Sequence, residues 1–425
     1  MTPIGEIYTF AFVTRITTIA LGVISYLVTG SYDTSTDIIL PADPAYHHLR
    51  FLNIFVRWDA VYFLHIAEHG YIYEQETAFF PLLPYIANYL AQTVFLPLQS
   101  IFGKQYTTVV VGAMISNISF ILAAGYLYKL TRLIYPVNAK LAKYSSIAFC
   151  LSLPSMFLSA FYTESIFALL TFMGMYYFKK QLYFIASILW GLASLARSNA
   201  IVYVGFFIYE FIINRHRHHS IKSFVSGIFQ AICYSLITIS GFVAFQYFIY
   251  LQYCEDGATL ERPWCSHMPP LVYTFVQKEY WGNGFLAYFQ LKQIPNFLLA
   301  MPIIGLSVCG LWLFISSDWT RWLTLGQVNY ASSADLTFSS NQATVYMYLW
   351  AFLLFYAITC MHIQVILRFF TALPPLYWYL AQLWSQGFQP SATKYQYWTA
   401  NILLSYFVLY SLVGIILFSA FLPPA

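Results

Sequence analysis

Only 20 Lys and Arg and 16 Asp and Glu occur among the 425 residues, so the places where charge gathers are informative. The densest cluster is Arg57-Trp58-Asp59-Ala60, followed by His65, Glu68, His69, Tyr73, Glu74 and Glu76. From Val56 to His69 the apolar pattern suits a short helix lying in a membrane interface. At about 100° per residue, Arg57, His65 and Glu68 share one face of that helix and Asp59 points the opposite way. Arg57 therefore does not neutralise Asp59 along the helix. An unpaired carboxylate in such a place can take a proton from a hydroxyl as a general base. It can equally do no more than cap the helix.

Three further clusters carry chemistry. Trp281, Asn283, Lys292 and Gln293 set aromatic rings beside amides, a composition suited to gripping sugars. An aromatic belt at the membrane surface accounts for the rings, but it needs neither the amides nor Lys292. His362 and Arg368 end a long apolar stretch, where a charge must snorkel to the surface or meet an anionic partner such as a lipid head group. Glu164 starts a helix, where the dipole alone favours a carboxylate; Arg197 with Asn199 marks another corner of the same kind. Arg215 to His219 could bind metal, but a basic loop that sets topology explains it more simply.

The elements that must position these residues are membrane helices. The chain is 60% hydrophobic and 8% charged, with a mean hydropathy of +0.64, whereas a soluble domain carries about 25% charged residues. An all-α polytopic membrane protein follows, and no alternating strand pattern supports a barrel. The small net charge of +4 is confined to short basic clusters and gives no hint of nucleic acid. Placing Lys129 to Lys143, Lys179-Lys180 and Arg215 to Lys222 in the cytoplasm predicts about eleven spans in a single domain over 1–425, the third of them at about 144–158. Two large loops, 31–106 and 252–294, then face the lumen. The stretch Ile7 to Thr29 reads as a retained first span, not a removable signal. Phe79 to Phe102 reads as a broken, partly re-entrant helix interrupted at Pro81, Pro84 and Pro97. Cys254 and Cys265 fall in the second loop, where an oxidising lumen favours a disulfide; His267 alone supplies too few further ligands for zinc.

The run R-W-D-A-V-Y-F-L-H-I-A-E-H-G-Y-I-Y-E, continuing to A-F-F-P-L-L-P, resembles the first lumenal loop of the GPI mannosyltransferase 2 family. The likeness continues at L-S-L-P-S-M-F-L-S-A-F-Y-T-E-S, A-R-S-N-A, P-W-C, W-G-N-G-F-L-A-Y-F-Q-L-K-Q-I-P-N-F and H-I-Q-V-I-L-R-F. It implies a GT-C type glycosyltransferase of the endoplasmic reticulum that adds the second mannose, in α1,6 linkage, to a GPI precursor. The donor it implies is dolichyl-phosphate mannose, and some fungal members work with a small membrane subunit. The acidic position of the first loop matches Asp59, and Arg368 is the position carried over for the donor phosphate.

The chemistry such a transfer needs agrees with the residues present. Converting a β-linked mannosyl phosphate to an α-mannoside takes one displacement with inversion. Phosphate leaves without protonation and asks for a cation, here Arg368, Arg57 or His362. The hydroxyl asks for one base, here Asp59 with Glu74 as the next choice. Glu74, Glu164, Trp281, Asn283, Lys292 and Gln293 remain for the acceptor and its sugars. No acidic pair is placed to hold a metal, so neither metal nor cofactor is expected. Another dolichol-dependent transferase is the nearer alternative; a transporter or scramblase would show internal repeats and midplane charges.

Overall fold

Apolar segments in a bilayer must satisfy their backbone internally, which leaves helices as the usual solution. The computed structural model describes residues 2–40, 44–214, 220–255, 262–328 and 338–423, and every regular element among them is helical. In chain order the principal helices are α1 (Pro3–Thr29), α2 (Ala60–His69), α3 (Leu82–Gln92), α4 (Gln99–Ile134), α5 (Ala139–Cys150) and α6 (Glu164–Lys179). There follow α7 (Tyr183–Ser194), α8 (Ile221–Tyr250), α9 (Ile294–Ser317), α10 (Thr344–Cys360), α11 (Pro374–Gly387) and α12 (Lys394–Ser419). Counting the tight turns joined to them, α1, α4, α8, α9, α10 and α12 are the 6 helices long and apolar enough to cross a membrane. The other expected spans fall on α5, α6, α7, α11 and the mixed helical segment Ser198–Asn214, all shorter. Length and composition thus indicate a multi-pass protein with six candidate crossings among the described residues; a count of eleven rests on the five short helices. The basic run 215–219 lies outside the described residues.

The stretch 79–102 is broken at two of the three expected prolines, whereas Pro84 sits in the first turn of α3, where no helical N–H bond is lost, and does not interrupt it. Pro81 stands at the N-cap of α3, an 11-residue helix too short to cross, and Pro97 lies in a 3-10 turn. A further break comes at Gly103, whose φ of 73° kinks the start of α4. An added Cβ there would also press on the ring of Tyr46 at 3.0 Å.

The third expected span, about 144–158, is corrected. Helix α5 stops at Cys150, and the chain runs irregularly to Thr163 apart from one 3-10 turn at Met156–Leu158. Pro154 and the flanking serines explain the break. Side chains from other helices then take the freed carbonyls. Arg15, buried in α1, donates to the carbonyl of Ser155 at 2.9 Å, the carbonyl of Cys150 at 3.4 Å and the hydroxyl of Ser159 at 3.2 Å. Its guanidinium also lies over Phe120. Ser165 donates to Leu158, Asn117 to Ser159 and Ser116 to Tyr162. Gly112 gives the segment room, since a Cβ there would meet the Phe161 ring at 2.4 Å.

The two large loops are joined. Glu74 accepts from Trp264 Nε1 at 2.6 Å, Tyr280 hydroxyl at 2.7 Å and Arg262 Nη1 at 2.9 Å. Cys254 and Cys265 form a disulfide. Replacing Arg15 by Leu should strip partners from two buried carbonyls at a cost of roughly 1–3 kcal/mol each. The expected outcome is a lower melting temperature of the detergent-solubilised protein; an unchanged transition would show that water or relaxation replaces the guanidinium.

Candidate active site

Asp59 lies at a corner that the backbone makes sharp. Trp58 adopts φ 54°, unusual for a residue with a side chain. Its ring is held against Phe421 at 5.3 Å. The corner separates its neighbours. Arg57 is 1% exposed; it donates to Thr36 Oγ1 at 3.2 Å and lies over Tyr26 and Phe421. Asp59 turns the other way. Its carbonyl starts α2, but its carboxylate makes no capping bond. The expected helix over Val56–His69 begins only at Ala60, so Arg57 shares no face with His65 and Glu68.

The Asp59 carboxylate instead meets Arg368. Asp59 Oδ2 accepts from Arg368 Nη1 at 2.8 Å, across 309 positions of sequence. Arg368 Nε donates to Glu164 Oε1 at 2.7 Å, and the same oxygen pairs with Arg197 Nη1 at 2.8 Å. The result is a neutral chain, Asp59–Arg368–Glu164–Arg197. It is closed at Glu164, whose side chain is 0% exposed, and opens at both ends, with Arg368 18%, Arg197 22% and Asp59 26% exposed. Phe157 and Tyr162, from the irregular segment, lie under the Arg368 guanidinium at 4.5 and 5.0 Å. Tyr162 is itself fixed by donating to the Arg57 carbonyl at 2.7 Å. Arg57 thus serves through its backbone, while its side chain is enclosed elsewhere. Among the described residues, Asp59 Oδ1 and Arg368 Nη2 take part in no hydrogen bond, and neither is sealed from solvent.

An acid with one oxygen free, beside a cation with one nitrogen free, can accept a proton and receive an anion side by side. Glu164 has no free access; its closed position makes it a holder of both arginines. Arg368 has the partner expected of a buried charge, and that partner is protein.

The remaining residues divide between this centre and the scaffold. Trp281 reaches it. Its ring meets the edge of Tyr62 at 6.1 Å and Phe79 at 5.6 Å, and Tyr62 stacks on Phe79 at 4.7 Å. Tyr62 stands one turn after Asp59 on α2. His362 stacks on Tyr288 at 4.5 Å, and its backbone donates to the Asn283 side chain at 3.1 Å. Burial lowers the pKa of its imidazole, while a bond to the Trp281 backbone opposes that fall. Asn283 also donates to Gln277, and Gln293 accepts from Asn296. These three fasten the second loop to itself and to the end of α10. Lys292 is exposed. Burial alone would raise the pKa of Glu74, but its bonds from Trp264, Tyr280 and Arg262 hold it below the usual carboxylate range. It braces the two loops.

Sequence reasoning left Arg197 as an unassigned corner and passed over Phe157, Tyr162 and Tyr62. The usable signal was that Glu164 and Arg197 are expected at the same end of neighbouring helices, where a buried acid requires a cation. Glu164→Gln should leave Arg368 and Arg197 short of a counter-charge, costing about 3–5 kcal/mol as for other broken buried pairs. The expected outcome is loss of folded protein, read as abundance in membranes and as melting temperature. Normal abundance with a normal transition would show that the chain is not structural.

The chain is 33% identical to GPI alpha-1,6-mannosyltransferase 2 of Rattus norvegicus, over 77% of this chain and 72% of that one. It is 32% identical to GPI mannosyltransferase 2 of Schizosaccharomyces pombe, over 87% of this chain and 73% of that one. Among solved structures, the oligosaccharyltransferase of Archaeoglobus fulgidus aligns with 96% of this chain and 55% of its own, at 12% identity and a TM-score of 0.49. The pattern described for Mannosyltransferase (PIG-V) runs from residue 4 to residue 425, taking in all four members of the acid–arginine chain, and the protein belongs to that family.

Proposed function

We propose that the protein transfers the second mannose, in α1,6 linkage, from dolichyl-phosphate mannose to a GPI precursor at the lumenal face of the endoplasmic reticulum membrane. Its relatives carry the name of that reaction. The observation that carries the residue assignment is the Asp59–Arg368 pair, with Asp59 Oδ1 and Arg368 Nη2 both left unbonded. The acceptor hydroxyl attacks the anomeric carbon while its proton passes to Asp59 Oδ1. The bond from that carbon to the phosphate oxygen breaks, and its electron pair leaves on the phosphate. One displacement on a β-linked donor gives the α product. Arg368 faces the developing phosphate charge with two of its nitrogens already fixed, so little reorganisation accompanies the step. Glu164 and Arg197 position Arg368 and touch no reacting atom.

In this reading arginine, not a metal ion, neutralises the leaving group, and no cofactor takes part. Activity is expected to survive EDTA unchanged. A small accessory membrane subunit is a further partner of this proposal, tested by co-purification from native membranes. Trp281 serves the acceptor sugar; Asn283, Gln293 and His362 hold the loop that presents it.

Asp59→Asn keeps the size of the side chain but removes the proton acceptor. It should lower mannose transfer in microsomes by roughly a hundredfold or more, with normal protein level. Arg368→Lys keeps the charge and loses the fork, and should cost roughly as much while weakening donor use. Near-normal transfer by Asp59→Asn would end the assignment of the base. Cells lacking the protein should accumulate a precursor bearing a single mannose; any other precursor would place the protein at a different step.

A further inference from the structure

Helix α2 carries more side chains that lead away from the Asp59 corner. Tyr62, His65 and His69 recur at spacings of three and four, so the three form one stripe that starts one turn from Asp59. Tyr62 and His65 are partly exposed and His69 is exposed. The His65 ring lies tilted against His69 at 4.9 Å and stacks with Tyr73 at 5.6 Å, and it pairs with the buried carboxylate of Glu76. The stripe runs along α2, whose 10 residues span about 15 Å at the usual helical rise.

It ends in a groove. Gly70, with φ 74°, closes α2 and turns the chain past an open cavity of about 560 Å³. The walls include His69, Tyr71, Tyr85, Phe248, Gln252 and Glu255. The Tyr71 hydroxyl is spent on the Phe79 carbonyl and Gln252 Nε2 on the Tyr71 carbonyl. The amide oxygen of Gln252 and the Glu255 carboxylate are left around aromatic faces, beside the His69 ring, whose Nε2 lies 3.8 Å from Glu68. Rings with a few convergent polar groups suit a polyhydroxylated ligand better than an acyl chain. Phe248 belongs to α8, a helix long enough to cross the membrane, so the groove lies against the end of a membrane crossing.

We propose that this groove seats the lipid-proximal part of the acceptor glycan, with the rest of the glycan lying along the α2 stripe and its terminal sugar at Asp59. The inference rests on the transfer reaction proposed above. A lipid-linked acceptor must keep its lipid in the membrane while its far hydroxyl reaches the base. The groove and the stripe supply those two points and the path between them.

The test uses the full chain in detergent or microsomes. Glu255→Ala combined with His69→Ala should raise KM for the lipid-linked acceptor roughly tenfold, leaving kcat and the donor KM unchanged, as expected for loss of uniform binding. A photoreactive phenylalanine at Tyr85, on the groove wall, should cross-link radiolabelled acceptor. The same residue at Tyr89, exposed one turn further along α3 and outside the groove, should not. Asp59→Asn should retain the Tyr85 cross-link, which separates binding here from chemistry there. An unchanged acceptor KM, a rise in donor KM, or equal labelling at both positions would overturn the proposal. Transfer surviving in Asp59→Asn would instead overturn the assignment of the base.

Discussion

Arg368 is shared between two carboxylates in a place where water is scarce, and much of the structure serves to make that arrangement tolerable. A guanidinium at the end of an apolar helix costs several kcal/mol unless its donors are met and its charge is balanced. Glu164 supplies one acceptor from the first residue of α6, and Asp59 supplies the other from the corner before α2. Glu164 is wholly enclosed and carries more negative charge than Arg368 can spare, since Asp59 draws on the same cation. Arg197 balances it from beyond the end of α7. Four residues far apart in sequence thereby form a neutral unit, and moving any one of them leaves a charge uncovered.

The geometry of that unit depends on backbone that is not helical. Phe157 and Tyr162 can lie beneath Arg368 only because α5 stops at Cys150 and the chain meanders to Thr163. A continuous span from 139 to 158 would carry those rings around the helix axis and away from the cation. The meander exposes carbonyls in an apolar setting, and Arg15, Ser116, Asn117 and Ser165 take them up. A second buried arginine therefore supports the first at one remove, through the segment between them. Arg57 acts in a similar way from the other side, its carbonyl fixing the hydroxyl of Tyr162.

How much of this was legible in the sequence follows the range of the forces involved. Hydropathy is local, so the helical class, the long spans and the break near Pro81 and Pro97 could be read directly. Asp59 and Arg368 could be singled out because charge is rare at span ends. Their mutual contact could not, because nothing local encodes a pairing across 309 positions. The same limit misassigned Arg57: a helix assumed to start at Val56 places it on a surface face, whereas the positive φ of Trp58 turns it inward. Glu74 looked like a reserve base because its three partners lie about two hundred residues away. Composition registers that a polar residue is present, and only the fold decides whether its lone pairs are already spent.

That distinction separates the proposed base from the supporting carboxylates. Glu74, Glu76 and Glu164 are all carboxylates in or near the same face of the protein. Glu74 accepts three bonds, Glu76 accepts two backbone N–H groups and pairs with His65, and Glu164 accepts two arginines. A carboxylate so occupied is a poor base, because taking a proton means surrendering hydrogen bonds that favour its charged form. Asp59 accepts one described donor, and on one oxygen only. Glu68 and Glu164 each keep one unbonded oxygen, but it is sealed from solvent, so Asp59 Oδ1 is the open acceptor that the proposed base requires.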